Sequence, residues 1–159
     1  MLSEGKILVN QDFKDLFKTF KEFTVKYLIV GAYAVIYYAE PRYTKDLDIW
    51  IEPTMENARR VWEALAAFGA PLKGVSLEDF CNRELIYQIG IAPNRIDIMM
   101  NIPGLEFSSA WDRKVTSSYG GEPIYIVHVD DLIEAKKTMD REQDRLDVRI
   151  LEQAKAIKE

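Results

Sequence analysis

Three aspartates carry the chemistry this sequence could perform. Asp46 and Asp48 stand two residues apart in the run Asp-Leu-Asp-Ile-Trp-Ile (46–51), and Asp97 sits between isoleucines in Arg-Ile-Asp-Ile-Met (95–99). Alternation of polar and apolar residues is the signature of a strand, in which side chains two apart share a face. Asp46 and Asp48 therefore project together while Leu47, Ile49 and Ile51 enter the interior. Asp97 projects opposite to Ile96 and Ile98. Same-face carboxylates repel one another unless water or a cation lies between them, and hard divalent ions such as Mg2+ prefer oxygen ligands. The 46/48 pair reads as a metal site. Asp97 adds a third carboxylate, for which the plainest alternative is an ion pair with Arg95 on the same strand face.

A second kind of site precedes the acidic pair. The apolar run Tyr-Leu-Ile-Val ends at Gly31, where a helix can begin. The first amides of a helix lack intrahelical partners and carry the positive end of its dipole, which suits a phosphate. Anion site and metal site are then adjacent.

A hydrophobic strand ending in Gly31-Ala32, thirteen further residues and then Asp46-Leu47-Asp48-Ile49 resembles the nucleotidyltransferase signature of the DNA polymerase β superfamily. It is most similar to the minimal nucleotidyltransferases and AbiEii-like proteins. The usual pattern has Gly-Gly or Gly-Ser where this chain has Gly31-Ala32, so phosphate binding falls to backbone amides instead of a serine hydroxyl. The resemblance implies attack by an acceptor hydroxyl on the α-phosphate of a nucleoside triphosphate, ATP by analogy, with pyrophosphate leaving. Two Mg2+ ions held by Asp46, Asp48 and Asp97 would serve that in-line displacement, with the third acid as general base or metal ligand.

The same resemblance assigns phosphate contacts to Arg42 and Thr44, just before the acidic pair, and to Lys136, while the later Arg141, Asp144 and Asp147 form a clasp between helices. It leaves the acceptor open among a small molecule, a protein side chain and an RNA end. The rival reading is a non-catalytic nucleotide- or partner-binding module on the same fold, such as one component of a toxin–antitoxin pair. Ala32 favours that rival, and a homo-oligomer fits either reading.

These residues need a scaffold. Strands are expected over about 26–30, 46–51, 84–89, 95–99 and 123–127. Helices are expected over about 10–24, 32–39, 54–68, 107–113, from 129 onward after an aspartate cap, and 141–157. Together they predict one α/β (α+β) domain over residues 1–159, a mixed sheet flanked by helices, and the resemblance gives it the polymerase-β-like nucleotidyltransferase fold. In the last helix Leu146, Ile150, Ala154 and Ile157 are the residues able to pack.

A chain of 159 residues with 48% apolar content is enough for one sizeable core. The net charge of −5 opposes a long polyanion as partner. A single cysteine, Cys81, forms no internal disulfide, and the lone His128 builds no zinc site, so both read as structural. The opening Met-Leu-Ser-Glu-Gly-Lys has no basic segment leading into a long apolar one, and no run reaches the roughly 18 residues of a membrane span. The expectation is a cytoplasmic protein without a membrane partner.

Overall fold

The computed structural model describes residues 9–39, 41, 46–91 and 94–158. Helix α1 (Gln11–Glu22) is started by Asn10, whose side chain accepts from the amides of Asp12 and Phe13. It buries Phe13, Leu16, Phe17 and Phe20 on one face, while Phe23, at the same helical spacing, is the C-cap and only half-buried. Strand β1 (Tyr27–Val30) is buried throughout and passes directly into α2 (Gly31–Tyr38). After β2 (Asp46–Ile51), Thr54 caps α3 (Met55–Phe68), and Gly69 ends it in the left-handed conformation.

A 3-10 turn (Leu77–Cys81) with a Ser76/Asp79 capping box follows. Then come β3 (Ile86–Ile89), β4 (Arg95–Met99) and α4 (Phe107–Asp112). The chain closes with the hairpin β5 (Val115–Tyr119) and β6 (Glu122–Ile126), followed by α5 (Val129–Met139) and α6 (Glu142–Lys158).

The described strands form one mixed sheet of six in the order β3-β4-β2-β1-β6-β5. β1 runs antiparallel to β2 and parallel to β6, and β2 runs parallel to β4. The buried Asn57 of α3 fixes one end of the β1–β2 pair. Its Oδ1 accepts from the Lys26 amide at 2.9 Å, and its Nδ2 donates to the carbonyls of Lys26 and Glu52 at 2.9 and 3.0 Å. A buried amide with this many partners costs nothing for its polarity and holds the strand ends in register.

Three sequence expectations change. β5 was not foreseen. The turn Gly120-Gly121, with both residues at positive φ, joins it to β6 as a two-residue hairpin. Helix α5 is capped by His128, whose Nδ1 accepts from the Asp130 amide at 3.0 Å, not by an aspartate. Asp131 is instead buried in a two-bond contact with the Arg113 guanidinium, at 2.7 and 3.0 Å. In α6, Leu146 and Ile157 are exposed and the buried residues are Asp144, Asp147 and Leu151. No helix among the described residues is long and apolar enough to cross a membrane.

Candidate active site

The pairing register assembles the acids. In the parallel β2–β4 ladder Asp46 lies opposite Arg95 and Asp48 opposite Asp97, while Leu47 and Ile49 lie opposite Ile96 and Ile98. Because strands alternate faces, three carboxylates and one guanidinium share one side, and the aliphatic residues fill the core on the other. The sequence foresaw both faces. β1 brings the candidate anion site to the same place, since Val30 pairs with Asp48 and Gly31 comes next.

Gly31 is required where it stands. Its φ of +67° lies in the left-handed region, and a Cβ there would come within 3.0 Å of both Cβ and Cγ of Asp48 while overlapping its Oδ2. The backbone at the start of α2 is thus laid directly on the Asp48 carboxylate. Among the described residues no side chain caps this helix start, which makes the first amides of α2, Ala32 among them, candidate donors for a ligand.

Arg95 is already engaged with two of the acids. Its Nη2 lies 2.8 Å from Asp46 Oδ2 and 3.1 Å from Asp97 Oδ2. Its Nε is 3.1 Å from Asp97 Oδ1, yet both atoms are buried without a hydrogen bond. That last contact is a charge attraction with poor alignment. Among the described residues no three Asp, Glu, His or Cys side chains gather as a group that could hold a metal ion, and the Arg95 guanidinium lies between Asp46 and Asp97. The residues still suit a hard cation at Asp48 and Asp97, which face each other across the ladder. Asp97 Oδ1 is a buried acceptor lacking a donor, and such an atom is costly unless a ligand or ion completes it.

Charge repulsion is visible at Asp48. Burial, then the charges of Asp97 and Asp46, push its carboxyl up to about 7, against the opposing pull of Lys136 and Arg95. Lys136, on α5, faces a buried pair from α6. Its Nζ is 3.0 Å from Asp147 and 3.5 Å from Asp144. Arg141 completes the cluster on Asp144 with bonds of 2.7 and 3.3 Å. Burial raises the Asp144 carboxyl, but the hydrogen bonds from Arg141 and the charge of Lys136 prevail and leave it below its ordinary value.

The structure therefore brings together Gly31, Ala32, Asp46, Asp48 and Asp97. Lys136 is close enough to act on Asp48 through its charge, although its ammonium is held by acids of α6. Arg42 and Thr44 lie outside the described residues. Arg95 is the residue whose weight the sequence understated. Its signal was the two-residue spacing to Asp97, which fixes a shared face, but nothing in sequence shows that β4 lies beside β2 and brings Asp46 within reach.

Solved nucleotidyltransferases share this architecture. The lincosamide antibiotic adenylyltransferase LnuA, solved with lincomycin bound, superposes with a TM-score of 0.57 at 14% identity, covering 91% of this chain and 97% of that one. A Thermotoga maritima protein assigned to the nucleotidyltransferases gives 0.60 at 14% identity, with 92% and 96% covered. ANT(2″)-Ia, solved with adenylyl-2″-tobramycin, gives 0.55 at 11% identity, with 91% of each chain covered. No family profile matches the sequence, and no curated protein matches it either. At such identities the likeness establishes the fold: a single α+β domain whose mixed sheet and flanking helices are those of nucleotidyltransferase structures.

Proposed function

We propose that this protein is a magnesium-dependent nucleotidyltransferase that moves a nucleoside monophosphate, AMP from ATP, onto a hydroxyl acceptor. The observation that carries this reading is the single patch on which Asp46, Asp48 and Asp97 meet the glycine start of α2. Adenylyl transfer named for two proteins of the same fold supports ATP as donor. The amides of Ala32 and its successor bind phosphate oxygens with help from the helix dipole. Arg42 and Thr44, immediately upstream in sequence, and Lys136 add positive charge and a hydroxyl for the triphosphate. Asp48 and Asp97, with Asp46 beside them, would hold Mg2+, which when bound polarises the phosphate for attack. Asp97 accepts the proton of the acceptor hydroxyl. The new bond joins that oxygen to the α-phosphorus, and the bond to the bridging oxygen breaks as pyrophosphate departs.

The test is incubation of the protein with ATP labelled at the α-phosphate, with Mg2+ and with or without cell lysate. Label should move to an acceptor and stop moving with Asp48→Asn. A protein that transfers nothing and gains no Mg2+-dependent stability from ATP would instead be a non-catalytic binding module of this fold. Ala32 in place of a phosphate-binding serine and the guanidinium neutralising Asp46 and Asp97 are the observations on that side.

A further inference from the structure

We propose that Arg95 stands in for one of the two cations that a polymerase-β-like centre would use, so that this site takes a single divalent ion. The proposal rests on the transferase reading above and concerns how many ions that site holds. Four side chains occupy one patch of the β2–β4 ladder, with Arg95 opposite Asp46 and Asp97 opposite Asp48. The guanidinium reaches diagonally, with Nη2 at 2.8 Å from one carboxylate and 3.1 Å from the other. Nε is 3.1 Å from the second oxygen of Asp97. One planar cation thus already spans the gap between the first and third acids, the work a bridging ion would do there. Its flat fork suits two carboxylates better than a point charge would.

Charge balance points the same way. Arg95 offsets part of the charge of the three carboxylates and Lys136 acts on Asp48 as well, so less negative charge is left to draw in a second ion. A second ion would have to sit against the guanidinium in a half-buried place where salt screens little. The contacts of Arg95 fall on Asp46 and Asp97, whereas its charge acts on Asp48 from farther away. The Asp48 edge of the patch, next to Gly31 and the start of α2, is the part left for an ion carried in with the triphosphate. Arg95 is accordingly a positioning residue: it holds Asp97 in place before any metal arrives and makes a nucleophile-side ion unnecessary.

Mn2+ bound per chain decides the matter, measured by electron paramagnetic resonance of free ion in the presence of a saturating ATP analogue with a methylene bridge between α and β phosphorus. The wild type should bind one Mn2+ per protein–nucleotide complex, and a count of two overturns the proposal. A count of zero at saturating analogue overturns the transferase reading and this proposal with it. Arg95→Met should bind two, with the metal-free protein melting lower and Mn2+ restoring more of its melting temperature than it adds to the wild type. An Arg95→Met protein that binds one ion and loses equal stability with and without Mn2+ would make Arg95 an ordinary ion-pair partner and overturn the idea. The wild-type count stands however stable the variant proves, and Arg95→Lys, which keeps the charge, should remain at one.

Discussion

Gly31 faces the carboxylate of Asp48 so closely that a Cβ at position 31 would overlap the acid's Oδ2. Gly31→Ala should therefore damage both halves of the site at once. The left-handed backbone alone costs about 1–2 kcal/mol for a residue with a Cβ, and the overlap with Asp48 adds to it. Urea unfolding should show at least that loss. ATP with Mg2+ should no longer raise the melting temperature, whereas a stable variant that keeps the full nucleotide response would disprove the close approach.

Asp48 makes the metal-free protein sensitive to pH in an unusual direction. Its folded-state carboxyl titrates near 7 against an ordinary value of 3.8, so between those values the native state binds a proton that the unfolded chain has released. Stability from this group is complete below about pH 4 and is lost as pH rises through 7, by at most about 4 kcal/mol. Urea melts in EDTA from pH 4 to 8 should show the decline, and Asp48→Asn should flatten it. Mg2+ should oppose the decline, since metal binding needs the ionised form. A wild type as stable at pH 8 as at pH 5 in EDTA would refute the assignment.

Asp97→Asn preserves shape and one acceptor oxygen but cannot take a proton. Its transfer rate should fall by about 10²-fold or more, while the Mg2+-dependent stabilisation by ATP falls far less. Transfer at the wild-type rate would return Asp97 to the role of ion-pair partner for Arg95.

Lys136→Met should unsettle the helix pair before it touches chemistry. Asp144 and Asp147 are almost wholly buried, at 1% and 0% exposure, and Lys136 is a cation they share. Leaving buried acids short of their partner costs roughly 3–5 kcal/mol, and Asp147→Asn in the same chain should recover part of it. Any contribution to nucleotide binding is read separately: ATP should lose more affinity than AMP, because only ATP extends phosphates toward an ammonium. Equal losses for the two ligands would confine Lys136 to the clasp.

The parts of this protein that were legible in sequence are those governed by short periods. Alternation in 46–51 and 95–99 gave the strands and the acid-bearing faces, and the stripe of Phe13, Leu16, Phe17 and Phe20 gave α1. β5 escaped because Val-Thr-Ser-Ser-Tyr has one apolar residue at each end and hydroxyls between, a pattern as common in loops as in edge strands. In α6 the rule that apolar residues pack inward failed because charged side chains fill part of its contact with α5: Lys136 and Arg141 make Asp144 and Asp147 buriable, and Leu146 is left outside. Arg95 is the same failure at the site. Its meaning depends on a partner 49 residues earlier in the chain, and no local pattern reports such distance.

That separation has a consequence in time. β2 and β4 are parallel neighbours with no hairpin between them, so their pairing must wait until a long loop closes, and non-local strand pairing is slow. Until β4 docks, Asp46 and Asp48 have neither Asp97 across from them nor Arg95 to neutralise them. On the transferase reading, a refolding chain should therefore form secondary structure before it can bind an ion and a nucleotide. Stopped-flow refolding followed by circular dichroism and by a fluorescent ATP analogue should separate the two events, with nucleotide binding the later. On the transferase reading, a sample that is helical but silent toward nucleotide is one in which β4 has not yet paired with β2.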